Sequence, residues 1–236
     1  MATWSILCDF DGTISVDDVT DVLLERFGKP GWEALEKRWR DGEISSRMCM
    51  QAQIGMLDAS KAELDSAIDE IRIDPAFPAF LRAVQRRGWP LAIVSDGLDY
   101  AIRRIMARHG ITDVPVLANK LMPSGSRGWM LESPHANTTC KVDSGTCKCA
   151  CARREQSKTQ RVLLIGDGAS DFCAAGSVDF VFAKYRLNEY CRTHAIHHTS
   201  ILGFAEAIEL LPALAGETDD LNVAPQSLEL RVDARF

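Results

Sequence analysis

Oxygen chemistry is concentrated at three places in the chain. Asp9-Phe10-Asp11-Gly12-Thr13 sets two carboxylates two residues apart, and Val94-Ser95-Asp96-Gly97 offers a hydroxyl ahead of a glycine turn. Gly166-Asp167-Gly168-Ala169-Ser170-Asp171 supplies two further carboxylates. Carboxylates gathered at one point repel one another unless a divalent cation sits among them, and an all-oxygen donor set suits Mg2+. Asp9, Asp11, Asp167 and Asp171 are therefore read as a magnesium site. A carboxylate that attacks phosphorus forms an aspartyl phosphate and divides phosphomonoester hydrolysis into two easier displacements. Asp9 is the candidate nucleophile, and Asp11 is the candidate acid that protonates the leaving oxygen and then, as a base, activates water. Gly12 permits a sharp exit turn and bares backbone N–H groups toward the phosphate. Ser95, with Asp96 and Gly97 after it, adds a hydroxyl and more N–H donors. A lysine is still required to offset charge on the transferring phosphoryl group, and Lys141, Lys148 and Lys158 all precede Asp167.

These groups must be carried to one point by the elements behind them. Residues 3–8 are a short apolar run ending at Asp9, Pro90–Val94 another ending at Ser95, and Val162–Ile165 a third ending before Asp167. In a parallel sheet the C-terminal ends of such strands open on one crevice, so residues far apart in sequence share a site. Further strands are predicted at Val114–Ala118 and Phe180–Ala183, with a small hairpin over Lys120–Trp129. Helices are predicted over about 75–87, 100–109, 149–156 and 201–211. Strands alternating with helices imply an α/β fold, a Rossmann-like parallel sheet core covered on both faces. Between Asp17 and Ile71 the period becomes helical: Val19-Leu23-Leu24-Phe27, Trp32-Leu35-Trp39, Met48-Ile54-Leu57 and Leu64-Ile68-Ile71. That insertion reads as a helical-bundle cap over 16–73, with the stripes forming its core. The catalytic core is then 1–15 and 74–215, and the polar tail 216–236 has no assignment.

Composition narrows the partner. A net charge of -6 argues against nonspecific grip on nucleic acid or anionic lipid, which leaves small phosphorylated metabolites. No run approaches the ~18 apolar residues of a membrane span, and the N-terminus lacks the basic start and apolar stretch of a secretory signal. A cytoplasmic protein is expected, of an oligomeric state the sequence does not indicate. Cys8, Cys49, Cys173 and Cys191 are scattered and read as reduced thiols. Cys140, Cys147, Cys149 and Cys151 lie close together, but their gaps of six, one and one residues do not match a paired zinc knuckle, so packing or surface thiols are expected.

Taken together, these motifs resemble those of the haloacid dehalogenase superfamily, specifically its phosphatases, and the likeness runs to about residue 212. Dehalogenases lack a carboxylate two residues after the nucleophile, so Asp11 implies phosphoryl transfer. In members similar to phosphoserine phosphatase the lysine starts the helix nearly twenty residues before the Asp167 position, which selects Lys148. An insertion of this size resembles the helical cap of that group. There a carboxylate nine residues after the nucleophile faces the substrate, and Asp18 holds that spacing here. Phosphoserine phosphatases carry glutamate at that spacing and typically serine where Gly12 stands. The Pro134-His135 pair and the Ser144-Gly145-Thr146-Cys147-Lys148-Cys149 loop look closer to the methionine-salvage phosphatases of 2-hydroxy-3-keto-5-methylthiopentenyl 1-phosphate. In the cap, Arg38, Arg47 and Met48 are further candidate contacts. Two rivals remain: a phosphotransferase or phosphomutase using the same intermediate, and a regulatory or metal-binding protein working through Cys140–Cys151.

Overall fold

A computed structural model describes residues 3–158 and 161–217, so the tail beyond Glu217 lies outside the described residues. Five fully buried residues, Trp4–Cys8, form β1 at the centre of the sheet. It is flanked by β2 (Leu91–Leu98) and β5 (Arg161–Gly166), both parallel to it. Beyond β2 lie β3 (Val116–Ser124) and, antiparallel to it, β4 (Gly128–Glu132); beyond β5 lie β6 (Phe180–Ala183) and β7 (His198–Ser200). The order among the described residues is β4-β3-β2-β1-β5-β6-β7. Strands buried on both faces read as continuous apolar runs, which is why β1 and β5 were legible without alternation.

Register does the positioning. Cys8 pairs with Ile93 on one side and with Ile165 on the other, so the residues that follow leave the sheet at one level. The predicted turn at Ser95-Asp96-Gly97 is instead a bulged continuation of β2. Val94 pairs with Leu117 and Leu98 with Asn119, so the intervening stretch of β2 outruns that of β3. A bulge leaves residues outside the ladder and re-aims their side chains.

Four helices separate β1 from the next core helix: α1 (Val19–Phe27), α2 (Trp32–Arg40), α3 (Ser46–Gly55) and α4 (Lys61–Glu70). Asp18, Ser45 and Ser60 cap the first, third and fourth through side-chain oxygens, satisfying N–H groups with no partner inside the helix. The predicted stripes bury Leu23, Leu24, Ile54, Leu64 and Ile68. Two parts of that expectation fail. α2 has no buried residue: Trp32 and Trp39 are half-buried, Trp32 packing on the edge of the core, and Met48 is 54% exposed.

The remaining α-helices among the described residues are α5 (Phe77–Arg86), α6 (Asp99–Arg108), α7 (Lys148–Gln156), α8 (Phe172–Ala175), α9 (Tyr185–Thr193) and α10 (Phe204–Ala215). On one face of the sheet Phe77 and Phe80 of α5 meet Phe204 of α10, with ring centroids 4.9 and 5.1 Å apart. Burying each such ring contributes about 1.5–3 kcal/mol. No described helix is long and apolar enough to cross a membrane.

Candidate active site

Asp9 leaves β1 at its C-terminal end and is only 4% exposed. Its Oδ1 accepts the Phe10 backbone N–H at 2.8 Å, which fixes the carboxylate's rotation. Its Oδ2 lies 2.8 Å from Lys148 Nζ and accepts the Ser170 hydroxyl at 3.4 Å. Lys148, the first residue of α7, is 1% exposed and also lies 2.6 Å from Asp171 Oδ1. Burial alone would lower this ammonium, but the charges of Asp171 and Asp9 more than reverse that and hold it well above the ordinary lysine value. Burial and then the charge of Asp171 push the Asp9 carboxyl up, with Lys148 opposing. Lys158, by contrast, pairs with Glu155 on the exposed end of α7, and Lys141 is exposed.

Asp9, Asp167 and Asp171 bring ligand oxygens within 4.8 Å of one another, the only such group among the described residues. The Asp167 carboxyl is also pushed up, by burial and then by the charge of Asp171. The donors are all carboxylate oxygens, a set that fits a hard divalent cation. Asp171 is already heavily engaged, with Oδ1 on Lys148 and Oδ2 accepting the N–H groups of Asp167 and Gly168.

The Asp11 side chain is not in this group, contrary to the sequence expectation. Its Oδ1 accepts the Val19 N–H at 3.0 Å and its Oδ2 accepts the Ser95 hydroxyl at 3.3 Å, which turns the carboxylate toward the start of α1. Burial and then the charge of Asp18 raise its carboxyl to about 8, which favours the protonated form. Ser95 Oγ also accepts the Gly97 N–H at 2.9 Å. A side chain on Gly97 has no space, because a Cβ there would come within 2.2 Å of Asp11 Oδ2. Gly12 has φ +69°, and its Cβ would meet Asp167 Oδ2 at 2.6 Å.

Two expected phosphate or substrate ligands have other partners. Asp96 Oδ1 accepts the Thr146 N–H at 2.6 Å and its Oδ2 the Ser46 hydroxyl at 3.2 Å. Asp18 caps α1 by accepting the Asp21 N–H at 3.0 Å. Arg38 pairs with Glu43, and Arg47 with Asp143. Among the described residues no three thiols come close enough to share a metal: Cys140 approaches Ser144 and Cys147, Cys149 lies beside Cys173, and Cys151 packs in the core. All eight are free thiols.

Three neighbours were missed. Thr13 Oγ1 donates to Asp167 Oδ1 at 3.0 Å, and Ser170 lies between Asp9 and Lys148. Lys184 donates to the carbonyls of Gly12 and Thr13 at 2.8 and 3.2 Å, bracing the turn after Asp9. It directly follows β6, so the strand-end logic applied to β1 and β5 could have found it.

The family model of haloacid dehalogenase-like hydrolases matches residues 6–176. A 2-hydroxy-3-keto-5-methylthiopentenyl-1-phosphate phosphatase of Brevibacillus brevis is 28% identical over 90% of this chain and 96% of its own. One from an Exiguobacterium species is 30% identical over 82% of this chain and 90% of its own. Among solved structures, a substrate-bound phosphoserine phosphatase complex is similar with a TM-score of 0.65 at 18% identity, covering 89% of this chain and 98% of that one. A phospho-aspartyl intermediate analogue of phosphoserine phosphatase gives 0.66 at 19% identity, covering 89% and 99%. Those two likenesses concern the fold, whereas the family match and the relatives bear on the chemistry. On that basis the chain belongs to the haloacid dehalogenase-like hydrolase family and is a phosphatase within it.

Proposed function

We propose that the chain is a Mg2+-dependent phosphomonoester hydrolase working through an aspartyl phosphate on Asp9. The observation that carries this reading is the buried contact of Lys148 with Asp9 and Asp171, beside a third carboxylate at the end of β5. Asp9 and Asp167, with Asp171 behind them, would hold the cation, which when bound supplies positive charge against the carboxylates and the phosphate oxygens. Asp9 attacks phosphorus, forming an O–P bond while the bond to the leaving oxygen breaks. Asp11 gives that oxygen its proton. Asp11, now ionised, takes a proton from water, and the water oxygen displaces phosphate from Asp9. Lys148 and Ser95 bind the transferring group, and Lys184 holds the Gly12-Thr13 turn in place through its two carbonyls.

Residues 16–73 act as a cap that covers the leaving group and excludes water, on a core of 1–15 and 74–215. The substrate is a small phosphorylated metabolite, and the relatives named for 2-hydroxy-3-keto-5-methylthiopentenyl 1-phosphate support that compound first. The same reading sets the enzyme in a reducing cytoplasm, in keeping with its free thiols. The test is release of inorganic phosphate, with and without Mg2+, from that compound, phosphoserine and phosphoethanolamine. Asp9→Asn should abolish turnover; full magnesium-dependent activity in that variant would overturn the assignment of the nucleophile.

A further inference from the structure

Asp96 lies between Ser95 and Gly97 yet spends both carboxylate oxygens elsewhere. Oδ1 accepts from Thr146 N and Oδ2 from Ser46 Oγ, while its carbonyl accepts the Asn119 side-chain amide. Those donors belong to three segments: the loop that leads into Lys148, the first residue of α3, and β3. The loop and α3 also meet directly. The Arg47 backbone N–H donates to the Asp143 carbonyl at 3.1 Å, and its guanidinium donates to Asp143 Oδ1 at 3.0 Å. Behind them Gly145 packs so closely on Asn119 that a Cβ would fall 2.3 Å from its Oδ1.

We propose that Asp96 is a positioning residue that couples the seating of α3 to the placement of Lys148. This rests on the role given to Lys148 above. One carboxylate holds Thr146, two residues before Lys148, and Ser46, at the start of α3, so each contact orients the oxygen that the other uses. Hydrogen bonds sealed from bulk water are electrostatically strengthened, and the 2.6 Å contact with Thr146 is short. A carboxyl group with both oxygens engaged is also a poor ligand for phosphate. With α3 displaced, Asp96 loses one of its two anchors and the loop carrying Lys148 loses the contacts of Arg47 as well. Cap seating and completion of the phosphate site are then one event.

The experiment compares Asp96→Ala, Asp96→Asn and Ser46→Ala in the full chain, by steady-state hydrolysis of para-nitrophenyl phosphate with Mg2+ and by amide hydrogen exchange. Asp96→Ala should lower kcat by about 10–100-fold, since small misplacements of a catalytic group cost that much. It should also speed exchange at Thr146 and in the first turn of α3. Asparagine can still accept from Thr146 N and donate to Ser46 Oγ, so Asp96→Asn should stay within about threefold of wild type. Ser46→Ala, which leaves the Thr146 bond, should speed exchange in α3 and raise KM more than it lowers kcat. An Asp96→Asn variant as impaired as Asp96→Ala would overturn the proposal, because charge and not bracing would then be the function. Unchanged exchange at Thr146 and α3 in Asp96→Ala would overturn it too. If the alanine variant does not fold, Ser46→Ala and Asp96→Asn carry the test. The exchange measurement needs no turnover, so failure of the phosphatase reading and failure of the brace are read separately.

Discussion

Lys148 Nζ lies 2.6 Å from Asp171 Oδ1, and both side chains are sealed from solvent. Removing one partner of a buried ion pair leaves an uncompensated charge, at a cost of about 3–5 kcal/mol. Lys148→Met should therefore lose stability of that order in urea denaturation at neutral pH, as well as turnover. Asp171→Asn placed in the Lys148→Met background should recover part of the stability and none of the activity. Lys148→Arg should not restore activity, because a planar guanidinium cannot replace a compact ammonium between Asp9 and Asp171.

Gly97 and Gly12 are expected to be intolerant for different reasons. Gly97→Ala brings a Cβ against Asp11 Oδ2, so it should displace the acid and lower kcat by about 100-fold while the fold persists. Gly12→Ala adds backbone strain at φ +69° to a clash with Asp167, so it should lower the melting temperature as well. Circular dichroism melts beside initial rates separate the two.

Chelation of divalent cations should abolish phosphate release, and Mg2+ should restore it. A ligand bound only by the folded chain stabilises it, by about 2.7 kcal/mol at a hundred times its Kd. Mg2+ should therefore raise the melting temperature of the wild type and raise it less in Asp167→Asn, a readout independent of turnover.

Asp21, in the first turn of α1, is surrounded by acids. Partial burial, then the charges of Asp18, Glu36 and Glu25, lift its carboxyl to about 6. A folded value above the unfolded one means the fold binds this proton more tightly. The stability it contributes is whole below the unfolded carboxylate value and is lost as pH rises through about 6. Asp21→Asn should thus raise the melting temperature at pH 8 and have little effect at pH 4. Solvent exposure keeps the effect small.

The parts of the site that were legible in the sequence are those written locally. Apolar runs ending in Asp9, Ser95 and Asp167 announced buried strands with polar ends, and the helical stripes of α1 and α4 announced the helices that follow β1. Helix α9 escaped because it buries only Leu187 and Cys191 among polar neighbours, and β7 because three residues carry no alternation. α2 gave the opposite error, since two tryptophans suggested a core and both are only half-buried.

The sequence by itself determined which residue types stand at the strand ends and so the class of chemistry, because strand burial and turn formation depend on near neighbours. Only the tertiary structure decided how those residues are paired. It set Asp11 on Ser95 and Val19, apart from the acidic cluster, brought Cys149 beside Cys173, which lies outside the local cysteine group, and made Asp96 a link between α3 and the loop before Lys148. Those partners depend on sheet register and on helix docking, which bring together residues whose spacing in the chain carries no record of their contact.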